Sequence, residues 1–149
     1  MAIDTRAVIV VARPREAVAA YLRDPGNDPH WIGGLRTARL VTEPPVTVGT
    51  QVERVASFLG RRIEYVNEIT ELTDTRLAMR SIRSPFPMRV TYSFTDTGKE
   101  ATEVSVRVEG DASRLDRLAD PLLALMVRRS VQRDLRTLKR NLENGTGSR

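Results

Sequence analysis

The stretch PLLALMVRRSVQRDLRTLKRNLEN, from Pro121 to Asn144, carries Val127, Val131, Leu135, Leu138 and Leu142 at steps of four, four, three and four. That spacing puts them on one face of an α-helix. An unbroken helix of this length reaches roughly 35 Å. Its apolar stripe needs a surface to lie on, and almost everything before it reads as strand. The pattern predicts one long C-terminal helix against a sheet, with room for a cavity between them.

The strands are read by working back from that helix. Val104, Val106 and Val108 alternate with Ser105, Arg107 and Glu109, and Met88, Val90, Tyr92 and Phe94 alternate with polar residues. Such alternation marks strands with one face in the core and one in water. Asp96-Thr97-Gly98-Lys99 reads as the hairpin turn between them. Upstream, strands are expected over 76–83, 62–72, 50–59 and 35–42. The breaks are Ser84-Pro85-Phe86-Pro87, Thr73-Asp74-Thr75, Gly60-Arg61 and Glu43-Pro44-Pro45. Ala7 to Ala12 is an apolar run expected to be a buried strand. Pro14 and Glu16 then suit the first turn of a short helix to Leu22. Asp24-Pro25-Gly26 ends it, and 27–32 predicts a second short helical turn around His30 and Trp31. Strands joined by short turns make an antiparallel sheet, so the class is α+β. Residues 1–144 are expected to form a single domain and 145–149 a flexible tail.

Composition narrows the chemistry. The chain has 149 residues, no cysteine, one histidine and a net charge of +5. Disulfides, thiolate nucleophiles and cysteine metal sites are excluded, and His30 alone cannot make a histidine metal cluster. No metal or other cofactor is expected. Met1-Ala2-Ile3-Asp4 lacks the charged and apolar regions of a signal peptide. No apolar run approaches the roughly 18 residues of a membrane span. A cytoplasmic location is expected. Arg128, Arg129, Arg133, Arg136, Lys139 and Arg140 concentrate positive charge on the last helix. A solvated face accounts for them, and transient contact with a membrane surface is the sharper alternative. The few aromatics are not interleaved with this basic run, so no nucleic-acid partner is expected.

Several motifs carry a resemblance. They are Val11-Ala12-Arg13-Pro14-Arg15-Glu16-Ala17-Val18, Asp24-Pro25 followed by Trp31, Val48-Gly49-Thr50, Gly60-Arg61-Arg62 leading to Glu68-Ile69-Thr70-Glu71, and the arginine-rich last helix. In this order the chain resembles the START-like or Bet v 1-like (SRPBCC) superfamily, in its polyketide cyclase/dehydrase and lipid-transport branch. The resemblance implies the helix-grip fold: a curved seven-stranded antiparallel sheet around the C-terminal helix, with two short helices after the first strand. It also implies an apolar cavity for a lipid, polyketide or quinone-like molecule. The superfamily hosts binders, enzymes and chaperones alike, so fold alone does not choose among them.

The candidate ligand-binding residues are Trp31, Tyr65, Asn67, Met79, Tyr92, Leu122 and Met126. Trp31 either meets ligand at the pocket mouth or packs the short helices, its indole N–H then needing a carbonyl. Ile63, Tyr65, Asn67 and Ile69 share one strand face, and an inward asparagine is costly unless something bonds it. Tyr65 and Tyr92 each join an apolar ring to one hydroxyl. Met79, Met88 and Met126 suit an adaptable wall. Arg54 lies on a strand face with Val52 and Ala56. It is expected to point outward, because an inward cation needs a carboxylate or an anionic ligand. No nucleophile–base pair, convergent carboxylate pair or phosphate loop is present, so no catalytic residue is assigned. Three functions remain: a hydrophobic-ligand binder with a nearly all-apolar lining, a cyclase-type enzyme with at least two unpaired inward polar groups, and a partner-binding or chaperone-like module with a collapsed cavity.

Overall fold

A computed structural model describes residues 2–58, 60–111 and 121–145. The elements run β1 Ala2–Val11, α1 Arg15–Arg23, a 3-10 helix Pro25–His30, then β2 Leu35–Leu40, β3 Gln51–Phe58, β4 Arg61–Leu72, β5 Arg76–Arg83, β6 Met88–Gly98, β7 Ala101–Asp111 and α2 Pro121–Glu143. The seven strands form one antiparallel sheet in the order β1-β7-β6-β5-β4-β3-β2. Its concave face holds α2, which is the helix-grip arrangement.

The helix stripe does what its period predicts. Leu135, Leu138 and Leu142 are fully buried, and Val127 and Val131 are half-buried. The three leucines join Val11, Val18, Leu77, Phe94 and Val104 in the core, and Val131 packs against them. The C-terminal half of α2 is tied to the first strand–helix junction. Arg13 Nη1 donates to the Leu142 carbonyl at 2.8 Å, and the Ala12 N–H donates to Glu143 at 2.8 Å. Lys139 Nζ and Gln132 Nε2 reach the Val10 and Val8 carbonyls at 2.9 and 3.4 Å. Those carbonyls belong to an edge strand, so α2 covers the sheet edge that would otherwise invite pairing with another chain. In α1, Val18, Ala19, Tyr21 and Leu22 face the core.

Three expectations about elements need correction. β1 begins at Ala2 rather than Ala7, because β7 continues to Asp111 and supplies ladder partners for the added residues. Nor is its apolar run wholly buried: Ala7 and Val11 face in, while Val8 and Val10 are exposed. The last hairpin turns later than expected. The ladder persists to Gly98↔Ala101, and the turn falls on Lys99 and Glu100, with Glu100 at φ 60°. The third concerns β3. Val52 and Arg54 are both buried, so Arg54 points inward.

Candidate functional site

Alternation on five strands delivers the cavity wall. Arg54 comes from β3, Tyr65 and Asn67 from β4, Met79 from β5, Met88, Val90 and Tyr92 from β6, and Val106 and Val108 from β7. The fourth side is α2, through Val127, Val131 and Asp134, and the segment after the 3-10 helix adds Trp31 and Ile32. These residues enclose an inner chamber of about 160 Å³. An outer chamber of about 200 Å³ adjoins it, reaching Ile3, Gly33, Leu35, Ala56, Ile63, Phe86 and Ser130. Ile32, Tyr65, Met88, Val108, Val127 and Asp134 line both. Taken together the chambers reach the lower end of the roughly 300–1,000 Å³ common for small-molecule sites.

The inner wall carries a fully buried ion pair. Arg54 Nη1 donates to Asp28 Oδ2 at 2.6 Å, and the two side chains are 4% and 3% exposed. Asp28 comes from the 3-10 helix, and its other oxygen accepts from the Trp31 indole at 3.4 Å. Burial works against the Arg54 cation, but its surroundings, Asp28 first among them and then Tyr92 and Tyr65, outweigh it, so arginine stays charged. Arg54 Nη2 also contacts Met79 Sδ at 3.6 Å. Two buried atoms on this wall, Arg54 Nε and Asn67 Oδ1, have no hydrogen-bond partner among the described residues. Such atoms are few in native proteins, and each calls for an explanation.

Tyr65 pairs with Arg54 across the β3–β4 ladder, which brings their side chains to within roughly 5 Å at Cβ. Burial pushes both the Tyr65 and Tyr92 hydroxyls up, so both remain donors at neutral pH. Tyr92 packs against Trp31 with ring centroids 6.0 Å apart. At the junction of the chambers Asp134 accepts the Gly33 N–H at 3.0 Å. Burial pushes its carboxyl up to about 6, against the pull of Gly33 and Arg133. The site thus offers one fixed cation, two phenol donors, one free amide oxygen and one carboxyl that titrates near neutrality, all on apolar walls.

Of the residues expected from sequence, Trp31, Tyr65, Asn67, Met79 and Tyr92 come together in the inner chamber. Trp31 is 4% exposed and lies deep rather than at the mouth, and its indole meets a carboxylate rather than a carbonyl. Met126 is 44% exposed and lines a groove outside the chambers, one helical step out of phase with Val127. The side chain of Leu122 lies outside the described residues. His30 is exposed, and its carbonyl accepts from Asn141 Nδ2 at 3.0 Å. Sequence reasoning missed Asp28 and Asp134 altogether. Asp134 left a signal, since it lies three residues after Val131 and seven after Val127, inside the apolar stripe. Asp28 left none. Among the described residues, no group of three or more His, Cys, Asp or Glu side chains gathers to hold a metal ion. No described helix is long and apolar enough to cross a membrane.

A family model described as polyketide cyclase / dehydrase and lipid transport matches residues 2–143. No curated protein matches the chain in sequence. Solved structures of similar fold include the Zhui aromatase/cyclase from Streptomyces sp. R1128, with TM-score 0.81 and 16% identity over 97% of this chain and 95% of that one. Another is the TTHA0849 protein from Thermus thermophilus, with TM-score 0.79 and 17% identity over 96% and 99%. A START superfamily protein from Mycobacterium smegmatis has TM-score 0.72 and 14% identity over 96% of each chain.

Proposed function

The chain belongs to the polyketide cyclase/dehydrase and lipid transport family, and from that premise we propose that it binds a hydrophobic or amphipathic small molecule bearing both a hydrogen-bond acceptor and a donor. One observation carries this reading. Arg54 Nε and Asn67 Oδ1 are buried and unpartnered among the described residues, in side chains on the wall of a mainly apolar chamber. A buried polar atom without a partner costs about 1–3 kcal/mol, which a ligand recovers by completing the bond. A carbonyl or phenol oxygen on an apolar skeleton fits both the Arg54 donor and the walls, and a hydroxyl or amide hydrogen fits Asn67. Lipid, polyketide and quinone-like molecules all include members of this type. Native mass spectrometry of freshly purified protein, with organic extraction, tests the reading. A co-purifying lipid or aromatic supports it. A protein repeatedly without one, and unshifted in melting temperature by a panel of lipids and polyketides, refutes it.

A second reading is a cyclase or dehydrase acting on a polyketide-like substrate, and Asp134 favours it. This carboxyl lines both chambers and titrates near 6, where general acid–base catalysis is most effective at neutral pH. The Arg54 cation and the phenols would hold carbonyls in a folded geometry, and such orientation itself lowers a barrier. The two unpartnered inward atoms are of the kind a cyclase requires. Incubating the protein with a poly-β-ketone surrogate tests this reading: faster cyclisation that is lost in Asp134→Asn supports it, and an unaltered spontaneous product distribution refutes it. The chambers weigh against a partner-binding module with a collapsed interior.

A further inference from the structure

Outside the cavity mouth lies a groove of about 730 Å³, lined by Gly33, Gly34 and Ser57 on one side and by Met126, Arg129, Ser130, Gln132, Arg133 and Arg136 of α2 on the other. Gly33, Ser57 and Ser130 line both this groove and the outer chamber, so the two spaces adjoin. Arg129, Arg133 and Arg136 follow one another at helical spacing and share a face. No acidic residue lines the groove among the described residues. Arg133 has Asp134 3.9 Å from its Nε and touches Ser130. Arg129 and Arg136 are exposed and make no hydrogen bond or ion pair among the described residues. Glycine keeps the opposite wall low. A Cβ on Gly33 would come within 3.0 Å of the Arg133 guanidinium, and one on Gly34 within 2.7 Å of the Ser57 carbonyl.

We infer that this groove is a head-group site, and that the ligand is an amphiphile whose phosphate lies among Arg129, Arg133 and Arg136 while its tail passes Ser130 into the cavity. The inference rests on the binding reading above and narrows it. Three guanidinium groups exceed the charge of one carboxylate. A phosphate monoester carries roughly −1.5 to −2 charges and three acceptor oxygens, and arginine's planar fork bonds such oxygens two at a time. The apolar chambers begin where the basic groove ends, as the division of an amphiphile into head and tail requires.

Calorimetric titration of the full chain with decyl phosphate and with decanol, below the micellar concentration, tests the inference. Decyl phosphate is expected to bind about tenfold more tightly at low ionic strength, with an advantage that shrinks as salt is added. Arg129→Gln with Arg136→Gln is expected to bring the phosphate-to-alcohol ratio toward one, and Arg129→Lys with Arg136→Lys to keep much of it. Both positions are exposed, and melting temperature reports the fold of each variant. Decanol binding with no phosphate advantage, or an advantage that survives the glutamine pair, overturns the head-group site and leaves the cavity reading intact. Failure of decyl phosphate to bind at all overturns the head-group site, and the cavity reading is then decided separately by native mass spectrometry and the lipid and polyketide panel. Inorganic phosphate alone is expected to bind far more weakly. Equal affinity would mean that head and tail do not share one site and would overturn the inference. Arginine-dependent sedimentation with anionic phosphatidylglycerol vesicles, without any gain for decyl phosphate over decanol, would assign the arginines to a membrane surface and overturn it equally.

Discussion

Arg54 and Asp28, 26 positions apart in the chain, meet at 2.6 Å in the interior and pin the 3-10 helix to β3, one strand in from the sheet's edge. Removing one member of such a pair strands a buried charge. Arg54→Met is therefore expected to cost about 3–5 kcal/mol in urea denaturation. Combining it with Asp28→Leu should restore most of that loss, since paired apolar replacements are often neutral or better. A double variant no more stable than Arg54→Met alone would show that the pair's worth lies in packing.

Asn67→Leu should separate stability from binding. It removes an unpartnered buried oxygen and keeps the side chain's branched shape, so the unliganded protein should gain about 1–3 kcal/mol in denaturant unfolding. Affinity for an identified ligand should fall about tenfold, the usual scale of one lost hydrogen bond. Unchanged affinity would assign Asn67 to the scaffold.

Asp134 predicts a pH dependence with a definite sign. Its carboxyl is pushed up from an ordinary 3.8 to about 6, so between those values the folded state holds the proton more firmly than the unfolded chain. The group favours folding most below pH 3.8, loses that contribution as pH rises through about 6, and is level above. Asp134→Asn lacks this titration and still accepts the Gly33 N–H. Its melting temperature should rise relative to the parent across that window. A difference that stays flat with pH would contradict the assignment.

Gly34 and Gly60 share a left-handed backbone, at φ +82° and +76°, but only Gly34 is crowded. Gly60→Ala should cost about 1 kcal/mol of conformational strain. Gly34→Ala should cost clearly more, because its Cβ would press on the Ser57 carbonyl where β2 leaves the cavity mouth. Equal losses in thermal unfolding would mean that the Ser57 backbone yields freely.

The parts legible in advance are those set by local period. The α2 stripe, the β6–β7 alternation and the shared face of Tyr65 and Asn67 follow from spacing alone, and they help place five of the seven expected ligand residues in one chamber. Arg54 is misread because two rules conflict there. Alternation with Val52 sends it inward, while the cost of burying a cation sends it out. The conflict is resolved by Asp28, a contact made by the fold and invisible to any local window. Met126 is misplaced by phase, since one residue on a helix is a turn of about 100°. Asp134 is readable in principle, as the charged member of an otherwise apolar stripe, but the sequence lacks the tertiary context that makes its burial matter.

The strand order carries a consequence for how the molecule comes into being. β1 pairs only with β7 within the sheet, in a register that sets Ala2 opposite Asp111 and Val11 opposite Thr102, and its free edge is covered by α2. During synthesis the first strand therefore has no ladder partner until some hundred residues have followed it. Loop closure on that scale must precede any gain from the pairing. The first strand of the sheet is thus among the last to be locked in place, and α2, which walls the cavity, follows its partner strand in the chain.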